Sequence, residues 1–343
     1  MLIEIRRPDD WHVHFRDGKA LPHTVSATAS TFARALVMPN LVPALTQVSA
    51  IVDYRQQIMQ ARPQSHAFYP YMTLYLNDHT TPDTLTEMKS YPFILGAKLY
   101  PAHVTTHSSQ GVQSIQTLYP LLDLMQSLDL VLQIHGELPT SDIFDREADF
   151  ITKILIPMTQ QFPRLRIVLE HISTRAAVEF VDKASPFVAA TLTPHHLIYD
   201  RNDLLVGGIR PHLYCLPILK RAEDKTALLT AAFSGHPKFF AGTDSAPHAI
   251  HHKESHCGCA GIYSAGYAVA LYAEVFDKQG KLPLLSPFLS EHGASFYRQP
   301  LNTGSLILKR EPQTIPRTLP FGDTQVIPIK AGETLSWSTD DPA

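Results

Sequence analysis

"DDWHVHFRDG", residues 9–18, sets Trp11, Val13 and Phe15 in alternation with His12, His14 and Arg16. A period of two is the side-chain period of a β-strand, so the spacing predicts a strand with His12, His14 and Arg16 on one face and the three apolar residues on the other. Same-face residues lie about 6.6 Å apart along a strand, and zinc sits about 2.0 Å from an imidazole nitrogen. Two such side chains can therefore converge on one cation. The same ten residues also suit a half-solvated strand whose polar face meets water, and the rest of the chain must decide.

Seven further short apolar runs follow: "ALVMPN" (35–40), "FYPYMTLYL" (68–76), "ILGAKLY" (94–100), "LVLQIHG" (130–136), "RIVLEHI" (166–172), "FVAATLT" (187–193) and "KFFAGTD" (238–244). Between them lie stretches with apolar residues at helical spacing, among them "SAIVDYRQQIMQA", "SIQTLYPLLDLMQSL" and "TRAAVEFVDKA". Several open at a Ser or Thr, the residue types that cap helix N-termini. Eight strands alternating with helices predict an α/β fold, a parallel (β/α)8 barrel of the TIM type. Trp11, Val13 and Phe15 should then pack toward the surrounding helices, with His12, His14 and Arg16 facing the barrel axis.

A length of 343 residues suits one such barrel with extensions, so the expected unit is a single domain over 1–343. The segment "SPFLSEHGASFYR" (286–298) reads as a last helix, and 299–343 as a proline-bearing C-terminal tail packed on the barrel, with a strand-like "TQVIPI". A formal charge of −3 without a Lys/Arg block argues against nucleic-acid or anionic-membrane surfaces and for a small-molecule partner. The opening residues lack the apolar core of a secretory signal, and no run reaches the length of a bilayer span, which predicts a cytoplasmic protein. Cys215, Cys257 and Cys259 cannot form a complete disulfide framework, and only Gly258 separates the last two, so reduced thiols are expected.

Polar residues stand at the downstream ends of runs that should be apolar on both faces: His12 and His14, then Asn40, Lys98, His135, His171 and Asp244. In a (β/α)8 enzyme those ends meet at one mouth. The set suits an open catalytic metal site better than a structural zinc site, which favours closed Cys/His tetrahedra at short spacings. Lys98 is the odd member, because an ammonium repels metals. Buried, the amine is more easily neutral and can take up carbon dioxide, giving an anionic carbamate that can bridge two ions. "GAKLYP" taken alone equally fits a substrate-binding cation.

"DDWHVHFRDG", "MPN" (38–40), "GAKLYPAHVTT" (96–106), "IHGE" (134–137), "LEHIS" (169–173), "GGIRPHLYCLPILK" (207–220) and "AGTDSAPH" (241–248) occur in order across nearly the whole chain. Together they resemble the dihydroorotases of the amidohydrolase superfamily, the compact bacterial type most closely. The histidine pair marks only the superfamily, whereas "HVHFR", "KLYPAHVTT" and "RPHLYCLP" are more specific. The resemblance implies a cytoplasmic, homodimeric enzyme of pyrimidine biosynthesis that reversibly cyclises N-carbamoyl-L-aspartate to L-dihydroorotate on a binuclear zinc centre. It implies that His12, His14 and Asp244 hold one Zn2+, His135 and His171 the other, and carboxylated Lys98 bridges both. Arg16, Asn40 and His248 would take the substrate α-carboxylate, with His135 also among the substrate contacts. Thr105 and Thr106 would sit on a loop closing over the site, and the backbone at Leu216 and Ala260 would meet the ring's amide edge.

The chemistry fits those residue types. Metal lowers the pKa of bound water toward roughly 7, and Asp244 can take its proton and return it to the leaving nitrogen. Arg16 offers a planar fork for a carboxylate. Ring closure consumes a carboxylate and a proton, so falling pH should favour dihydroorotate. A dihydropyrimidinase or hydantoinase would share the metal ligands, but a ring without a carboxylate leaves Arg16 unexplained. A non-catalytic scaffold would have lost ligands that are all present. "HHKESHCGC" (251–259) reads as a loop over the mouth rather than a further metal site, and His195 receives no role.

Overall fold

All eight apolar runs form strands of one parallel sheet: β1 (Asp9–Val13), β2 (Arg34–Val37), β3 (Tyr69–Leu76), β4 (Ile94–Leu99), β5 (Val131–Ile134), β6 (Ile167–Leu169), β7 (Val188–Leu192) and β8 (Phe239–Ala241). The structure is a computed structural model and describes residues 1–105, 108, 110–256 and 258–340. Neighbours pair in chain order, with Lys98 opposite Gln133, Ile134 opposite Leu169 and Leu192 opposite Ala241. The ring closes where Asp244 N donates to His12 O at 2.9 Å and His14 N to Ser245 O at 3.1 Å. The barrel expected from the alternation of elements is thus the fold observed.

Helices cover the outside. Val48–Ala61 buries Val48, Ile51, Tyr54 and Ile58, one stripe at helical spacing. Thr174 caps Arg175–Lys183 by accepting from Ala177 N. Ser49, read as a helix start, is already inside its helix: the preceding turn begins at Gln47, which makes no side-chain cap.

Along β5 the two faces separate cleanly. Leu132 and Ile134 point outward into the main core with Val13, Val37, Leu99, Leu169 and Leu192, whereas Val131 belongs to a second cluster inside the barrel. That inner cluster joins Trp11, Leu36, Tyr71, Val168, Ala189 and Phe240, from seven of the strands, to Ala294 and Tyr297. Trp11 therefore departs from the expectation that it would face the helices. The β1–β2 register shifts between Asp10 and Val13, and this irregularity turns both Trp11 and His12 inward before Val13 returns to the outer face.

Residues 286–298 form two short helices, Leu285–Ser290 and His292–Phe296, instead of one. The break lets the second helix close the barrel base. A Cβ on Gly293 would stand 2.1 Å from Trp11 Nε1, so the helix backbone rests directly on the indole, and Tyr297 stacks on Trp11 with centroids 4.4 Å apart. Beyond it, Ser305–Lys309 pairs antiparallel with Leu2–Arg6 and with Ser338–Asp340, tying both ends of the chain into one small sheet. Thr324–Val326, from the strand-like tail segment, forms a hairpin with Leu319–Phe321.

Candidate active site

The ligand candidates cluster around the downstream strand ends, some on the last strand residues and others just beyond. Arg16, His171 and Asp244 have left-handed backbone, with φ of 61°, 43° and 44°, a conformation that non-glycine residues adopt at a cost of order 1–3 kcal/mol. Tertiary bonds hold two of them there: His171 N donates to Thr191 Oγ1 at 2.7 Å, and Asp244 N to His12 O. The approach is close enough that a Cβ on Gly242 would meet the Thr191 side chain at 2.8 Å.

His12 Nε2 and His14 Nε2 lie 3.2 Å apart, and Asp244 Oδ1 is 3.3 and 3.2 Å from them. Three buried donors aimed at one point fit a single divalent ion. A second grouping adds Glu170 and His171 to His12. The His171 ring packs between its neighbours, with centroids 5.1 Å from His12 and 4.7 Å from His135, and its Nδ1 is buried without a hydrogen-bond partner. His135 Nε2 is engaged by Glu137 at 2.8 Å, which leaves Nδ1 as its free ligand atom. Lys98 is fully buried between these groups, against the carboxylate of Glu170.

Burial sets the charge states. It pushes the imidazoles of His12, His135 and His171 below their ordinary pKa, and that of His14 down to about 3, which favours the neutral, ligating form. Burial likewise holds the Lys98 amine well below its usual value. Asp244 goes the other way: burial alone would raise it, but the imidazoles of His12 and His14 outweigh that and keep the carboxylate ionised.

Arg16, Asn40, Thr105, His135, Leu216 and Ala260 line one cavity with His12, His14, His171 and Asp244. Arg16 is anchored by its Nε donating to Pro247 O at 2.9 Å, while its Nη2 lies 2.9 Å from His248 Nε2. His248 in turn reaches Ala260 O at 3.0 Å. Thr106 lies outside the described residues.

Sequence reasoning missed the carboxylates behind the histidines. Glu137 orients His135, Glu170 lies 3.2 Å from His12 Nδ1, and Glu147 accepts from Ser173 N–H and Oγ–H just past His171. Burial raises Glu147 to about 7, with Lys220 pulling against it. "IHGE" and "LEHIS" contained the signal for the first two, since metal-bound imidazoles commonly hand their other nitrogen to a carboxylate. Tyr100 and Ala246, also on the cavity wall, carried none.

His195, His196 and Cys215 form a third buried group. His196 is already engaged, with Thr193 Oγ1 at 2.8 Å and Pro217 O at 2.9 Å, so it serves as a tie between segments. In "HHKESHCGC", His251, His252 and His256 are exposed and Cys257 lies outside the described residues. No candidate metal group among the described residues includes that segment.

A parallel eight-stranded barrel with this mouth defines a hydrolase of the amidohydrolase superfamily. No family model matches the chain. Curated relatives do: the chain is 52% identical over 343 residues to the dihydroorotase of Pseudomonas syringae pv. syringae (strain B728a), covering 99% of both proteins. The crystal structure of dihydroorotase in complex with 5-fluoroorotic acid from Saccharomyces cerevisiae superposes with a TM-score of 0.91 at 34% identity, over 99% of this chain and 98% of that one. This chain belongs to the dihydroorotase family. The L-hydantoinase of Arthrobacter aurescens, with a TM-score of 0.82 at 15% identity over 98% of this chain and 82% of its own, shares the fold alone.

Proposed function

We infer that this enzyme reversibly cyclises N-carbamoyl-L-aspartate to L-dihydroorotate in pyrimidine biosynthesis, opening and closing a cyclic amide bond. The observation that carries the substrate assignment is Arg16: a guanidinium anchored on Pro247 O in the same cavity as the metal donors, where its fork suits an anionic substrate group. Asn40, on the cavity wall, and His248, which does not line it but lies 2.9 Å from Arg16 Nη2, complete that carboxylate receptor in this reading, with Thr105 and His135 on the adjoining wall and the backbone of Leu216 and Ala260 against the ring's amide edge.

In this reading His12, His14 and Asp244, which converge on one point, would hold one zinc ion, His135 and His171, their rings 4.7 Å apart, would hold a second, and the buried Lys98, carboxylated, would serve both. Bound there, the metal would acidify water and polarise the amide carbonyl. The protein supplies the rest. Burial keeps the imidazoles neutral, and Asp244, ionised at the edge of the cavity, takes a proton from the attacking water and delivers it to the departing nitrogen. By holding the carboxylate, Arg16 orients the ring with its scissile amide toward Asp244 and its other amide edge toward Leu216 and Ala260.

The barrel and the 299–343 extension act in this reading as one domain, supported by the pairing of Leu2–Arg6 with Ser305–Lys309. The enzyme is read as a cytoplasmic homodimer; no helix among the described residues is long and apolar enough to cross a membrane. The deciding experiment is a spectrophotometric assay of dihydroorotate beside hydantoin and dihydrouracil, on protein of measured metal content. Turnover of dihydroorotate far above the other two is expected; preference for a ring without a carboxylate overturns the assignment.

A further inference from the structure

Lys253 ends the short helix Ile250–Lys253, is 3% exposed, and does not line the cavity. An ammonium has three donors, and here each finds a backbone carbonyl: Tyr214 O at 2.7 Å, Cys259 O at 2.8 Å and Gly261 O at 2.7 Å. None of these acceptors carries a formal charge, so the cation is held by carbonyl dipoles and by the Tyr214 ring, whose centroid lies 5.8 Å from Nζ. Burying a lysine away from any carboxylate costs stability, which these three hydrogen bonds offset.

The acceptors show what it serves. Cys259 and Gly261 flank Ala260, and Tyr214 precedes Leu216 by two residues; Leu216, Ala260 and Gly261 form one wall of the cavity. The two segments are also joined directly, Gly261 N donating to Tyr214 O at 3.0 Å. In a trans peptide the N–H points opposite to the carbonyl of the preceding residue. Fixing Cys259 O on Lys253, behind the wall, therefore turns the N–H of Ala260 away from Lys253 and toward the cavity. Among the described residues no backbone carbonyl accepts from that N–H. On its other side Ala260 O meets His248 Nε2 at 3.0 Å, within reach of Arg16.

We propose that Lys253 is a positioning residue that aims the Ala260 amide at the substrate ring by clamping the carbonyls on either side of it and joining that wall to the Tyr214–Leu216 segment. The inference rests on the reading of this cavity as the dihydroorotate site. It acts on substrate binding and not on the metals, since Lys253 touches none of the candidate ligands.

The test compares wild type, Lys253→Met, Lys253→Arg and Arg16→Lys as metal-loaded enzymes, measuring kcat, KM for dihydroorotate, metal content and thermal unfolding. Lys253→Met should keep its metal and its kcat within about threefold while KM rises at least about tenfold, because the wall amide is no longer held toward the ring. Lys253→Arg keeps the charge but cannot point three donors at three carbonyls; it should show a smaller KM rise, and it decides the matter if the Met variant does not fold. An unchanged KM in the folded variants, or a fall in kcat and metal content accompanying the rise in KM, overturns the proposal. Arg16→Lys separates the two readings: if it leaves KM for dihydroorotate unchanged, the cavity assignment itself fails, whatever Lys253 does.

Discussion

Trp11, Val131, Val168, Ala189 and Phe240 fill the barrel at its base, and a residue or a few further along the same strands stand His12, His135, Glu170, Thr193 and Asp244 at the mouth. Both regions are buried. At the base nearly every contact is apolar or aromatic, closed by the Trp11–Tyr297 stack. At the mouth the buried groups are titratable and the backbone is left-handed at Arg16, His171 and Asp244. The difference teaches that each strand divides its labour along its length: the base stabilises, and the mouth spends that stability on holding charge and strain in a fixed geometry.

The largest effect that could break this division is at Lys98. Lys98→Ala should lower turnover of dihydroorotate at least about a thousandfold and reduce metal content. A short-chain carboxylic acid should restore part of the activity by standing in for the carbamate. Activity that survives the substitution would remove the bridge from the reading.

At the base, Trp11→Ala should cost about 3–5 kcal/mol in urea unfolding, the usual penalty for deleting a large buried aromatic. Below the unfolding transition its metal content and kcat should stay near wild type. A variant that stays stable but loses catalysis would show that the two ends are not independent.

A subtler test concerns Glu147, which supports the mouth from outside the barrel. Its folded pKa of about 7 lies above the ordinary glutamate value, so the folded state holds a proton that the unfolded chain releases. Stability from that proton is present at pH 4 and lost as pH rises through 7. Glu147→Gln should therefore gain on wild type between pH 5 and pH 8, by at most about 3 kcal/mol. Parallel unfolding curves for the two proteins across that range would mean that this carboxylate is not strained by burial.

The strands and the polar residues at their ends were legible because a barrel repeats a local pattern: a short β-branched run, then a polar residue where the run ends, then a helix. "KFFAGTD" and "LVLQIHG" each announce both the strand and the group it delivers. Trp11 was not legible. Its side follows from a shift of register against β2, and strict alternation assigns it to the wrong face. Glu147 and Lys253 were equally hidden, since the partners that give them meaning lie in other segments: Ser173 for the one, Tyr214 and Gly261 for the other.

By itself the sequence determined the barrel, the set of histidines, carboxylate and lysine at its mouth, and through its motifs the family. Periodicity and residue chemistry are local, and each strand carries its own. Tertiary structure alone decided which way Trp11 points, which carboxylates stand behind the histidines, and how one ammonium grips two distant loops. Those facts depend on distances between residues far apart in the chain, which close packing fixes and no local pattern encodes.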